Sequence, residues 1–155
     1  MSNAARDMQD LYRELVIDHS RNPRHFRRLE DATHTADGIN PLCGDKLRLY
    51  LRVDASGRIE SSSFEGSGCA ISIASASLLT EAVTGLEVDA AKRCSVTIYN
   101  RLTTAAPHAD LDAHLENLKA LDGVRAYPSR VKCATLAWRA LHAALTNELQ
   151  PATTE

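Results

Sequence analysis

Cys43, Cys69, Cys94 and Cys133 are the side chains with the widest chemical range in this chain of 155 residues. Thiolates bind soft metals and attack sulfur, and their surroundings decide which of these they do. Cys43 lies in the turn-rich run Asn40-Pro41-Leu42-Cys43-Gly44-Asp45, just ahead of an alternating apolar segment. Cys69 follows the glycine-rich break Gly66-Ser67-Gly68 and opens a stretch dense in alanine and serine. Cys133 is expected just inside the first turn of the last helix. Three of the four cysteines therefore sit at element ends, where distant parts of a chain can converge. A helix N-terminus also favours a thiolate through its unpaired N–H groups and dipole, a placement expected for Cys69 and Cys133. Cys94, within the unbroken run Ala90 to Val96, reads as a small core side chain. No two cysteines form a CxxC pair, so spacing alone is a weak metal signal.

A carboxylate stands close to the first of them. Only Gly44 separates Cys43 from Asp45, and a tight glycine turn lets one loop present sulfur and carboxylate to the same centre. Three thiolates and one carboxylate suit tetrahedral zinc. Taken alone, an aspartate at such a place is more often a turn or strand-end residue than a ligand. The six histidines (His19, His25, His34, His108, His114 and His142) show no pairing at metal-ligand spacing, and surface or cap roles are expected for each.

Composition sets the context for these thiols. An apolar fraction of 44% with 25% charged residues is that of a folded globular domain. A net charge of −2 lacks the basic excess of a nucleic-acid-binding surface. There is neither an apolar run of membrane-spanning length nor a signal-peptide pattern, so a cytoplasmic protein with no membrane or nucleic-acid partner is expected. There the thiols stay reduced, which favours metal or redox chemistry over disulfides.

The elements that must position these residues follow from periodicity. Residues 1–7 are expected to be a tag-like or disordered N-terminus, 8–149 a single domain and 150–155 a frayed tail. Met8, Leu11, Tyr12, Leu15 and Val16 recur at helical spacing, and Asn22-Pro23 closes that helix. A short strand is expected near Thr33 to Ala36. Lys46 to Asp54 alternates, with Leu47, Leu49, Leu51 and Val53 on one face, and Ala55-Ser56-Gly57 turns it into a second strand from Arg58 to Glu65. Ile59 and Phe64 are out of phase, which a bulge near Ser61-Ser62 or a different register would reconcile. Helices are expected over Ala70 to Val83, over Val88 to Arg101, from Pro107 to a stop at Asp122-Gly123, and from about Val131 to Leu149. The order predicts an α+β fold, a small antiparallel β-sheet covered by several α-helices.

Three motifs in this order carry a resemblance. Asn40-Pro41-Leu42-Cys43-Gly44-Asp45, then Gly66-Ser67-Gly68-Cys69-Ala70-Ile71-Ser72 with its Ala-Ser run, then Arg130-Val131-Lys132-Cys133-Ala134-Thr135-Leu136-Ala137-Trp138 resemble the SufU branch of the IscU/NifU N-terminal domain family. The opening helix, from Leu11-Tyr12 to Asn22-Pro23, resembles the start of that family, and the likeness runs from about Leu11 to Leu145. It implies a role in iron–sulfur cluster assembly, with Cys43, Asp45, Cys69 and Cys133 as metal ligands. Lys132 stands where IscU-type scaffolds carry a histidine, and the segment between Cys69 and Cys133 is longer than theirs, as in SufU-type proteins. The resemblance therefore implies a zinc-bound acceptor that takes persulfide sulfur from a SufS-like cysteine desulfurase, working beside other SUF assembly proteins. Cys43 would accept the sulfur while Cys69, Cys133 and Asp45 keep the zinc. Arg130 and Lys132 would steady an anionic metal–thiolate centre. The rival it leaves open is a scaffold on which an iron–sulfur cluster, or iron, is held transiently and passed on.

Overall fold

The computed structural model describes residues 3–105, 108, 110–147 and 151–154. Its elements are α1 (Asn3–Arg21), β1 (His34–Asn40), β2 (Asp45–Val53), β3 (Ile59–Ser67), α2 (Ala70–Val83), α3 (Val88–Thr103), a run of 3-10 turns (Ala113–Ala126), α4 (Pro128–Leu145) and β4 (Ala152–Thr153). The sheet order is β3-β2-β1-β4. The first three strands are antiparallel, as expected, and β4 adds parallel to β1.

Alternation builds the inner face. Leu47, Leu49 and Leu51 of β2 are buried, and across the ladder they face Gly38, Ala36 and His34 of β1. Helix α4 packs over β1 and β2 while α2 covers β3. The phase break in the second hairpin strand is a bulge, one residue before the expected place. Arg52 pairs with Ser61 but Val53 with Ile59, which leaves Glu60 as the extra residue and turns both Ile59 and Phe64 inward.

Helix α2 explains its own composition. Alanines let α1 and α4 approach closely, and the buried serines fasten them. Ser75 Oγ donates to Ala134 O (2.6 Å) and accepts from Trp138 Nε1 (3.1 Å), so the buried indole of α4 is satisfied. Ser77 Oγ accepts from the Arg24 backbone N–H (2.8 Å) and lies 2.7 Å from His19 Nδ1. Cys94 joins the core, where burial pushes its thiol up to about 11.

Several expectations are corrected. Helix α1 starts at Asn3, inside the stretch set aside as a tail, where Ala4 and Ala5 favour a helix. The segment after α3 is wound as 3-10 turns and runs past Asp122-Gly123 to Ala126; Pro107 lies outside the described residues. Leu115, Leu118, Leu121 and Val124 recur every third residue, which eclipses them into one inward stripe at three residues per turn. Asp122 does not end it, because its carboxylate accepts Arg101 Nε and Nη2 at 2.8 Å each and ties the segment to α3. Helix α4 begins at Pro128, whose ring pre-sets the first turn. Cys133 consequently sits in the second turn rather than the first; Leu149 lies outside the described residues. Pro151 to Thr154 return to the sheet instead of fraying, with Thr153 beside Ile39. Among the described residues no helix is long and apolar enough to cross a membrane.

His19 departs from the surface role expected of it. It is buried between Ser77 and Glu81, whose Oε1 lies 3.4 Å from Nε2. Burial holds the imidazole below its ordinary range, with Arg24 acting the same way and Glu81 and Asp18 opposing. The fold therefore favours neutral His19, and the unfolded chain protonates first as pH falls. Stability is full above the ordinary imidazole pKa of about 6.5 and declines below it, by at most about 1.4 kcal/mol per pH unit for one proton. Melting temperatures taken between about pH 7.5 and pH 5.5 should fall more steeply for the parent protein than for His19→Gln.

Candidate metal centre

The centre grows from the end of the β1–β2 hairpin. Asn40 and Asp45 are register partners, so their side chains share the inner face. The stripe Leu51, Leu49, Leu47 continues at its next inward position to Asp45, which is 1% exposed. Pro41 to Gly44 close the loop, with the Gly44 N–H donating to Asn40 O at 2.9 Å. Gly44 has φ +74°, a conformation that side chains disfavour, and this turns the chain back from the exposed Cys43 to the buried Asp45.

Helix α2 supplies the second wall. Cys69 is its N-cap residue, and its backbone N–H donates to Asp45 Oδ1 at 2.9 Å. Asn40 Nδ2 donates to the other carboxylate oxygen at 3.0 Å. A Cβ on Gly68 would stand 2.6 Å from Asp45 Oδ1 and 2.5 Å from Ser72 Oγ, so only a bare backbone lets the carboxylate lie here. Helix α4 brings Cys133, fully buried, over the same point. Its Sγ is 3.6 Å from Cys43 Sγ and 3.5 Å from Asn40 Nδ2.

One donor atom each from Cys43, Asp45 and Cys133 lie within 4.8 Å of one another. Two thiolates on a tetrahedral zinc at about 2.3 Å stand ~3.8 Å apart, close to the observed sulfur separation. The donor set thus fits a thiophilic divalent cation. Burial chiefly, and then Asp45, Cys69 and Cys43 beside it, push the Cys133 thiol well above its ordinary range. A cation at this point reverses that penalty, since metal coordination deprotonates a thiol.

The other sequence candidates fall around this trio. Cys69 is half-buried at the cluster edge, held to Asp45 through its backbone, with its sulfur 3.9 Å from Ser72 Oγ. Arg130 is exposed, three residues before Cys133 on α4, and Cys133 first, then Cys69, hold its guanidinium above its ordinary range. Lys132 is half-buried and lies about 100° around α4 from Cys133, given 3.6 residues per turn. Sequence reasoning gave no role to Asn40, Gly68 or Ser72, all of which lie inside its own motifs.

The family model for the NifU-like N terminal domain matches residues 11–150. The zinc-dependent sulfurtransferase SufU of Bacillus subtilis is 38% identical over 142 residues, covering 92% of this chain and 94% of that protein. The iron–sulfur cluster assembly scaffold protein IscU of Thermotoga maritima is 35% identical over 141 residues, 91% of this chain and 96% of that one. A crystal structure of a candidate iron–sulfur cluster assembly scaffold protein for the SUF system, from Fervidobacterium islandicum, superposes with a TM-score of 0.77 at 31% identity, covering 85% of this chain and 94% of that one. With the motifs, the fold and a match over most of its length in agreement, the chain belongs to the NifU-like N-terminal domain family, alongside SufU and IscU proteins.

Proposed function

We propose that this protein works in iron–sulfur cluster assembly as a zinc-bound acceptor of persulfide sulfur from a cysteine desulfurase. The observation that carries this reading is the exposed loop residue Cys43, whose sulfur is in contact with a buried Cys133–Asp45 donor set. A purely structural metal site would have every ligand residue enclosed, whereas here one ligand comes from an exposed loop residue whose sulfur reaches in to the buried pair. Zinc, when bound, keeps thiolates deprotonated near neutral pH without changing oxidation state.

The step asked of Cys43 balances simply. Its thiolate attacks the outer sulfur of the partner's cysteine persulfide, a new S–S bond forms on Cys43, and the partner's cysteine leaves as thiolate. Asp45 and Cys133 stay behind as the anchored donors, with Cys69 beside them, and the exposed Arg130 offers a positive charge to the incoming anionic sulfur. Leu42, next to Cys43 in the loop, and Tyr127, just before α4, are 69% and 64% exposed and would give a protein donor apolar surface to contact. Lys132 in place of a histidine favours sulfur transfer over a cluster scaffold, because a protonated amine offers no lone pair to a metal. The similarity to IscU scaffold proteins keeps cluster assembly as the second reading.

One experiment separates the two. Protein purified without added metal should hold near-stoichiometric zinc and accelerate sulfide release by a cysteine desulfurase of the SufS type. A labile iron–sulfur chromophore delivered to an apo-ferredoxin, with no acceleration, would move the assignment to the scaffold. Neither response would overturn both.

A further inference from the structure

The hydrogen bonds that hold the site do not end at its ligands. Asn40 is fully buried, and all of its side-chain polar capacity has a direction. Its Nδ2 faces two groups of the centre, Asp45 Oδ2 (3.0 Å) and Cys133 Sγ (3.5 Å). Its Oδ1 accepts the hydroxyl hydrogen of Thr154 at 2.9 Å. An amide that flips would aim its oxygen at the Asp45 carboxylate, an acceptor–acceptor clash, whereas the Thr154 hydroxyl can donate or accept, so the carboxylate sets the sense of the amide. Thr154, 7% exposed and 114 positions away in sequence, holds the amide from behind, because its bond to Oδ1 limits rotation of the Asn40 side chain.

Thr154 is itself held firmly. Its backbone N–H reaches Ile39 O at 3.4 Å, extending the parallel pairing of β4 with β1. One residue earlier, Thr153 O accepts Arg139 Nη1 from α4, and that guanidinium lies over the Tyr99 ring of α3, 5.3 Å from its centroid. The last strand is thereby clamped to the two helices behind the site.

We propose that Asn40 and Thr154 are positioning residues for the metal centre: the Thr154 hydroxyl fixes the Asn40 amide so that its NH2 orients the Asp45 carboxylate and donates to the Cys133 sulfur. This rests on the zinc reading above for its consequence, but the lock itself does not. Outer hydrogen-bond partners of metal ligands typically govern affinity by about 10–100-fold, and the same range is expected here.

The test uses the full chain and the variants Thr154→Val, Thr154→Ser and Asn40→Ala. Zinc affinity is read by competition with a chromophoric chelator, and the Asn40 side-chain amide is followed by exchange of its NH2 protons with solvent in the metal-free protein. Thr154→Val should weaken zinc by about 10-fold and speed exchange of the Asn40 amide protons, Thr154→Ser should restore both, and Asn40→Ala should weaken zinc at least as much as Thr154→Val. A Thr154→Val protein with unchanged amide exchange overturns the proposal, as does a Thr154→Ser protein as weak as Thr154→Val, which would show that strand docking matters and the hydroxyl does not. Faster amide exchange in Thr154→Val, in a parent protein that binds no zinc, would leave the lock standing and remove the zinc reading instead.

Discussion

Cys43→Ala is expected to return a stimulated cysteine desulfurase to its basal rate of sulfide release while the protein stays folded. The fold should tolerate the change because the side chain is exposed on a loop, and surface substitutions of that kind usually alter stability by no more than about 0.5 kcal/mol. Chemistry should not tolerate it. Cys133 is fully buried and cannot reach an incoming persulfide without the site opening. Cys69 is half-buried at the head of α2, where its sulfur sits by Ser72. No other described thiol of the site combines exposure with contact to the anchored donors. Intact-mass measurement after incubation with the desulfurase and L-cysteine provides a second readout, in which the parent gains one sulfur atom on Cys43 and the variant gains none. Zinc measured in parallel shows whether loss of acceptance precedes loss of metal. Undiminished stimulation by Cys43→Ala would remove the acceptor assignment.

The sequence carries more of this centre than its cysteine spacing suggests, and the residue that shows why is Asp45. Read forward from Cys43, it is a turn aspartate. Read backward along the strand, through Leu51, Leu49 and Leu47, it occupies the next inward position of a buried stripe, where an uncommitted carboxylate would be costly. That register is legible in the alternation itself and marks Asp45 as a group that needs a partner. Helix α3 is legible in its helical spacing, and helix α2 in a different way, through a run dense in alanine and serine that is bounded by Gly68 and Gly85. The 3-10 segment is not, because Leu115, Leu118 and Leu121 fit either a three-residue or a mixed three-and-four repeat, and the choice between them lies in packing against the surrounding helices α1 to α4. His19 is not legible either: a histidine among polar residues reads as exposed, and its burial depends on a serine 58 positions later. The contact of Thr154 with Asn40 has no local signal at all, as the two-residue strand that makes it exists only by pairing with β1.

Replacing Asp45 by alanine is expected to cost both metal and stability, and the two losses have separate causes. The carboxylate is a candidate ligand and also the acceptor on which two walls of the site meet, the Cys69 backbone N–H at 2.9 Å and Asn40 Nδ2 at 3.0 Å. Removing it leaves the buried Asn40 Nδ2 with Cys133 Sγ alone and takes the partner from the half-buried Cys69 N–H, at up to about 1–3 kcal/mol for a donor left unsatisfied. It also leaves the N-terminus of α2 without the carboxylate that receives its capping residue's N–H. Zinc affinity should therefore fall by more than the roughly 10–100-fold that loss of an outer hydrogen-bond partner produces. Asp45→Asn keeps the volume but turns an NH2 toward a donor, whichever way the amide is set, because Cys69 N–H and Asn40 NH2 approach opposite oxygens. It should consequently recover little of the zinc affinity, and this distinguishes a carboxylate needed as an acceptor and ligand from one that merely fills space. Chelator competition gives the affinity and urea unfolding of the metal-free protein gives the stability. Metal-free Asp45→Ala as stable as the parent would break the structural half of the argument, and unchanged zinc affinity in both variants would break the ligand half, leaving Cys43, Cys69 and Cys133 to hold the ion alone.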